Sequence, residues 1–402
     1  MLTVDQARSK FIDSVACNAQ VEIVDLADAL LRICAKDIRS QIEVPPSDNS
    51  AMDGFAVNSA DLHGTSLQLP ISQRIPAGAT AVMLKQGSAA RIFTGGVMPN
   101  GADSVVIQEN CEYTVNSDSV KILKPPQPGD NVRPRGQDIG IGDTIVSAGQ
   151  KLSAVDLGLL ASIGLAQVSV YKQITVAVLS TGNELAEPGD ALKVGQIYNS
   201  NRTMLLALCR QLGYQVMDCG IVEDTLQATK NALSVAAENA DVIISSGGVS
   251  VGEEDYIRPA LEALGHLEYW KVKMKPGKPV VLGKILGTPF VGLPGNPVSS
   301  YIVFLLLALP LLRSLQGQAA KGPAMYHINA GFEKQETSRE EYIRVRLVRD
   351  ERGLQTAEVF NNLSSGVLSS LSWADGLVRQ AIGQTIKIGE PIEFLPLRDG
   401  LL

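Results

Sequence analysis

Three carboxylates stand in a row at Glu253, Glu254 and Asp255, in the stretch GGVSVGEEDY that follows the apolar run DVIISS. Like charges this close repel one another, so the row calls for a positive partner. Two other apolar runs end in the same manner: LSTGNEL supplies Glu184, and GIVED supplies Glu223 and Asp224. The neighbouring glycines let backbone amides approach a phosphate or another anion, and the acids can hold a divalent cation against it. Oxygen-rich ligation suits magnesium better than zinc or copper. A further segment, KVKMKPGKPVVLG, places Lys271, Lys273, Lys275 and Lys278 within eight residues. The first three alternate, so a strand would project them to one face. Opposite unit charges 4 Å apart attract by about 4 kcal/mol at an effective dielectric near 20. That is enough to assemble an anionic ligand, a cation and the lysines, and it points to a phosphorylated ligand with a metal.

Each motif also has a plain structural reading. GNEL suits a helix N-cap, LPGNPVSS a turn followed by capping serines, the lysines a solvated strand face, and MDGFAV a turn entering a strand.

The elements that must position these groups follow from periodicity. From about Ile174 the chain alternates apolar strands (ITVAVLSTGNEL, YQVMDCGIVED, DVIISSGG) with helical segments (SNRTMLLALCRQLG, LQATKNALSVAAENA), the pattern of a parallel sheet with crossover helices. In such sheets ligands bind beyond the carboxyl ends of the strands, where the three acidic motifs fall. Residues 4 to 36 carry apolar positions at helical spacing (Val4, Ala7, Phe11, Ile12, then Leu26, Ala29, Leu30, Ile33), which predicts two helices. From Gln41 to about Gly142 the chain is rich in Gly and Pro with short apolar pieces, a β domain with long loops. SAVDLGLLASIG returns to helical spacing and stops at Gly164, and short strands resume from about Tyr326. The run Val298 to Leu312 is shorter than the roughly 20 residues a bilayer span needs and contains Pro310, so it reads as a buried core helix. The parts are therefore residues 1–40, continued by 142–170, then 41–141, 171–318 and 319–402.

Composition excludes several classes. The 402 residues are 45 % hydrophobic and 19 % charged with a net charge of −7, a folded composition that argues against binding nucleic acid through a broad basic face. Five scattered cysteines form no CxxC pair and fit free thiols in a reducing compartment. Three histidines, none near another, argue against a histidine-based zinc site. The N-terminus has early acids and no apolar segment of the kind a secretory leader carries. A cytoplasmic protein that engages neither membrane nor nucleic acid is expected.

Taken together the motifs are far more specific. PPSDNSAMDGFAV, RIFTGGVMPNGADSVVIQE, NVRPRGQDI, LSTGNEL, SGGVSVGEEDY, KPGKP and GLPGNPVS resemble, in this order, those of the molybdopterin molybdenumtransferases of the MoeA family and of the C-terminal domain of gephyrin. The resemblance spans essentially the whole chain. It implies a multidomain α/β fold: a molybdopterin-binding domain with a parallel sheet, an inserted β domain, a discontinuous helical dimerisation region and a C-terminal β-barrel, assembled as a homodimer. It also implies an enzyme that takes adenylylated molybdopterin, cleaves its pyrophosphate, inserts molybdate and releases molybdenum cofactor and AMP, with Mg2+ as cofactor. Molybdopterin adenylyltransferase and molybdoenzyme maturation proteins are the candidate partners.

By the same resemblance Asp53, Thr94 and Asp138 face the active cleft from the β domain, and Glu184, Asp224 and Asp255 are the carboxylates of the α/β domain. Asp224, Glu254 and Asp255 are the metal candidates. Gly247, Gly248, Ser250, Lys271, Lys275, Lys278 and Ser299 would bind the anionic substrate, with Pro294 and Pro297 shaping the adjoining loop. Arg344 and Ser365 would complete the cleft from the partner subunit. Gln137 and Gly96 depart from the family's usual Glu and Ala, and neither removes a charge assigned to the chemistry. Two other readings stay open: the adenylyltransferase built on the same α/β domain, and a gephyrin-like scaffold. The first runs as a short single domain, and the second would leave the acids and lysines as relics.

Overall fold

In the computed structural model every residue is described except 18, 63–66, 115–116, 249–255, 320–321, 350–352 and 398–402, and at 269–270 the backbone alone. The helices used below are α1 (Val4–Asp13), α2 (Ala154–Ser162), α3 (Ser200–Gln211), α4 (Leu226–Asn239), α5 (Ile257–Leu264) and α6 (Pro297–Leu315). The strands of the α/β sheet are β1 (Thr175–Thr181), β2 (Gln215–Val222), β3 (Val242–Ser246), β4 (Gly265–Lys271), β5 (Pro279–Ile285) and β6 (Thr288–Leu293).

The sheet runs in the order β2-β1-β3-β6-β5-β4. The pairs β1 with β2, β1 with β3 and β3 with β6 are parallel, as the strand and helix alternation predicts. The other half differs, because β6 with β5 and β5 with β4 are antiparallel. The cause is connection length: only Leu286 and Gly287 separate β5 from β6, and a parallel pair needs a crossover of a dozen residues or more. β1 and β3 are buried almost throughout, as strands covered on both faces must be.

Helix α6 is the apolar run seen in the sequence, and 83 % of its most apolar window lies inside the protein. It passes through a π-type stretch at Phe304–Ala308 just ahead of Pro310. Proline has no N–H for the carbonyl four residues back, which frees the Leu306 carbonyl. Arg8 Nε of α1 donates to that oxygen at 3.1 Å. The α1 helix, begun by a Thr3–Gln6 capping box, packs Val4, Ala7 and Phe11 into the same core as α6.

The second N-terminal helix expected from the sequence does not form. Val21–Asp25 is a strand paired antiparallel with Gln167–Tyr171, followed by a short 3-10 turn at Leu26–Asp28, and Leu31 sits at φ 64°. Leu26, Ala29 and Cys34 still pack with Leu160 of α2 and Val168, so the apolar spacing served a loop laid on that helix. The α2 helix itself forms as predicted and is followed by Gly164 at φ 82°.

The Gly/Pro-rich part contains a six-stranded sheet whose middle pair is Ala89–Ile92 with Gln68–Ile75. In the C-terminal part Glu340–Arg349, Gln355–Val359, Tyr326–Ala330, Pro391–Pro396 and Gly376–Gln380 pair in turn. The last pairs back to the first, which closes a β-barrel, and Met274–Lys275 adds to its wall.

Candidate active site

At the carboxyl ends of β1 and β3 the backbone turns sharply. Gly247 and Gly248 both have positive φ, at 89° and 68°. A Cβ on Gly248 would lie 2.4 Å from Ile257 Cγ1 and 2.8 Å from Thr181 Oγ1. Only glycine fits, and the turn brings backbone within reach of a bound anion. Beside it opens a cavity of about 880 Å³ whose lining includes Glu184, Asp224, Gly247, Gly248, Pro297 and Ser299. The volume is that of a cofactor-sized site at the topological position where open α/β sheets bind ligands.

The two acidic loops are locked to each other. Asp224 Oδ2 accepts the Asn183 backbone N–H at 2.8 Å, and the Asp224 N–H donates to Asn183 Oδ1 at 3.4 Å. Asn183 therefore caps no helix: GNEL is a turn that leads into the short strand Leu185–Ala186. Glu184 folds over Gly182, where an added Cβ would meet its Oε2 at 2.4 Å. One Asp224 oxygen and the Glu184 carboxylate make no hydrogen bond among the described residues and face a shared space. Magnesium binds through one or two carboxylates together with waters and substrate phosphates, so this donor set fits it. Among the described residues no group of three His, Cys, Asp or Glu side chains forms a metal cluster. Ser250, Glu254 and Asp255 lie outside the described residues.

The lysines divide. Val272 and Met274 are fully buried and Lys271, Lys273 and Lys275 point away from them, so the alternation holds. The three do not share one strand, because β4 ends at Lys271 and Met274–Lys275 belongs to the barrel wall. Lys271 stands opposite Pro279 in the sheet and Lys278 precedes it, and Pro279 lines the cavity. Lys275 instead pairs with the buried Glu341 at 3.2 Å, and Lys334 approaches the same oxygen at 3.5 Å. Pro294 and Pro297 line the cavity on either side of Gly295 and Asn296, and Pro297 opens α6.

Arg344 and Ser365 belong to a part of the barrel domain whose loop borders the cavity of its own chain. The Ser365 carbonyl accepts the Val298 N–H at 3.0 Å, and Gly366 and Leu368 line the cavity of their own chain. Arg344 is 1 % exposed and serves this loop from behind. Its Nε donates to Ser370 Oγ at 3.0 Å and its NH2 to the carbonyls of Asn362 and Ser364 at 3.2 and 3.0 Å.

Asp53, Thr94 and Asp138 do not line this cavity. Asp53 Oδ1 accepts both the backbone N–H and the hydroxyl of Thr94 at 2.8 Å, and these bonds hold its carboxyl below the ordinary range. Asp138 is exposed, and its backbone N–H donates to the Val44 carbonyl.

Sequence reasoning passed over the polar residues before α3. Asn199 caps that helix by accepting the Arg202 N–H, and Asn199 and Asn201 both line the cavity. Arg202 pairs with Glu187 and, at 2.7 Å, with Asp218, which ties the Ala186–Tyr198 loop to β2. The run YNSNR, with polar residues opening an otherwise apolar helix, was the available signal.

The carboxyl ends of parallel strands, with a glycine turn, two carboxylates and a cofactor-sized cavity, define a binding protein for a cofactor-sized ligand, set among an inserted β domain, a helical region and a β-barrel. Comparison with known proteins narrows this class. Residues 2–164 match the MoeA N-terminal region (domain I and II), 177–314 a probable molybdopterin binding domain, and 333–397 the MoeA C-terminal region (domain IV). A molybdopterin molybdenumtransferase of Haemophilus influenzae is 44 % identical over 79 % of this chain and 78 % of its own. Another, of Nostoc, is 38 % identical over 94 % and 88 %. The crystal structure of a molybdopterin biosynthesis MoeA protein from Pyrococcus horikoshii covers 98 % of this chain and 99 % of its own, with 31 % identity and a TM-score of 0.79. The chain belongs to the MoeA family.

Proposed function

We propose that the chain is a molybdopterin molybdenumtransferase, acting on adenylylated molybdopterin and molybdate to give molybdenum cofactor and AMP. The observation that carries the proposal is the cavity of about 880 Å³ where Glu184, Asp224 and the Gly247–Gly248 turn meet. It lies within the region matched to a probable molybdopterin binding domain, in a chain 44 % identical to a named molybdenumtransferase.

The residues can act as follows. The Gly247–Gly248 turn presents backbone toward the diphosphate without adding charge. Lys271 and Lys278, which flank the cavity-lining Pro279, offset the repulsion between molybdate and the diphosphate. Glu184 and Asp224 would hold Mg2+, which supplies charge neutralisation at the phosphate oxygens. Ser299, on the first turn of α6, can donate to an oxyanion. No Ser-His or Cys-His pair is required.

A homodimer belongs to the proposal. Val21 and Ile23, on one face of their strand, and Val155 of α2 are 59, 68 and 73 % exposed, a cost that burial against a second copy removes. Asp53, Thr94 and Asp138 lie off the cavity of their own chain, and a second copy is the means by which they reach one. A cytoplasmic location fits the free cysteines.

The test is incubation with adenylylated molybdopterin, molybdate and Mg2+, followed by chromatography for AMP. AMP release that depends on both molybdate and the wild-type acids is expected. Intact substrate after prolonged incubation overturns the proposal.

A further inference from the structure

The cavity carries two amide groups whose bonding is unfinished. Asn199, 2 % exposed, and Asn201, 9 % exposed, both line it. Their orientations follow from partners that act in one sense only. Asn199 Oδ1 accepts the Arg202 backbone N–H at 3.2 Å, and a backbone N–H can only donate, so Nδ2 is the other atom. That Nδ2 is buried without a partner among the described residues. Asn201 Nδ2 donates to the Gly295 carbonyl at 2.7 Å and to Ser246 Oγ at 2.8 Å. A carbonyl can only accept, so the remaining atom is Oδ1, which is also buried and unpaired among the described residues.

Buried polar atoms are ordinarily paired, and two exceptions in one cavity lining call for a ligand. It must give an acceptor to Asn199 and a donor to Asn201. An oxyanion fails, because the oxygens of phosphate or molybdate only accept and would repel Asn201 Oδ1. The edge of a nitrogen heterocycle succeeds, since it sets an N–H beside a ring nitrogen or carbonyl. We infer that Asn199 and Asn201 read the edge of a heteroaromatic ring, which fixes the end of the substrate that enters the sheet and leaves its phosphates to the Gly247–Gly248 turn. The inference rests on the proposed function, whose substrate carries two such rings, a pterin and an adenine.

Pterin and adenosine, both uncharged, separate the two ends. Each is titrated by calorimetry into wild-type protein, Asn199→Asp and Asn199→Ser. Both substitutions keep an oxygen that caps α3 while removing the Nδ2 donor, and Asn199→Ser, which adds no buried charge, should melt at the wild-type value. Wild-type protein should bind one of the two rings, and both variants should bind that ring at least tenfold more weakly. Pterin as the affected probe places the pterin end here, and adenosine places the nucleoside. Variants that bind both rings as the wild type does, or a wild type that binds neither, overturn the inference. AMP release is followed in parallel: wild-type turnover in the Asn199 variants sinks this inference alone, whereas an inactive wild type sinks the proposed function and leaves the ring titrations to stand by themselves.

Discussion

Gly248→Ala puts the glycine turn to a quantitative test. At φ 68° an alanine costs about 1–2 kcal/mol of backbone strain. Its Cβ would also stand 2.4 Å from Ile257 Cγ1 and 2.8 Å from Thr181 Oγ1, and such overpacking adds about 1–3 kcal/mol. The sum is about 2–5 kcal/mol, relieved by shifting either α5 or the turn itself. Gly287→Ala is the control, because that residue has φ 92° with nothing within 4 Å of the new Cβ. It should lose the strain alone, about 1–2 kcal/mol, on the hairpin between β5 and β6. Hydrogen exchange of the β3 amides reads the stability of the sheet beside the turn, and AMP release reads its geometry. A displacement of about 1 Å in a positioning group can cost about a hundredfold in rate. Gly248→Ala should therefore fall at least tenfold in turnover while Gly287→Ala keeps it. Equal losses in both variants, or full activity in Gly248→Ala, would refute the claim that close backbone packing shapes the site.

Arg8→Met removes the donor to the Leu306 carbonyl and should destabilise the protein by about 1–3 kcal/mol, seen as an earlier thermal unfolding transition; an unchanged melt would show that water replaces the guanidinium. The Asp53 carboxyl should titrate below 3.8 by carbon-detected NMR, and Thr94→Val should raise it toward that value. Because its folded value is depressed, the stability it lends is present above the unfolded pKa and disappears as pH falls through the folded one. Asp224→Asn keeps an oxygen for the Asn183 N–H but loses the charge. It should fold as the wild type does and lose magnesium dependence together with AMP release; retained metal dependence would remove Asp224 from that role. Light scattering at micromolar concentration should give a dimer, and Val155→Asp a monomer; a monomeric wild type would contradict the assembly.

Much of the fold was legible because local pattern and tertiary demand agree there. The alternation from Ile174 onward, the α2 helix with its glycine stop and the buried run of α6 each carry their own periodicity and end signals. The segment from Leu26 to Ile33 misled for the opposite reason. Its spacing fits a helix, yet the preceding strand takes its hydrogen bonds from Gln167–Tyr171, a partner that local sequence cannot reveal. The site divides in the same way. Glu184, Asp224 and the paired glycines could be found because each closes a strand. Arg344 could be picked out as a cation, but not that the carbonyls of its own domain's loop use its donors. Lys275 looked like part of a row until Glu341, sixty-six residues on, supplied its partner. Asn199 and Asn201 gave only the weak signal of the polar run YNSNR, since asparagine at a helix start is ordinary. Unpaired buried atoms in the lining of the cavity set them apart.

The bond from Arg8 to Leu306 joins residues 298 positions apart. On the ribosome, therefore, the first helix is made long before anything exists for it to lean on, and its apolar side must wait through the synthesis of most of the chain. Nascent chains halted short of α6 should leave that helix open to chaperones, and release past Leu315 should hide it.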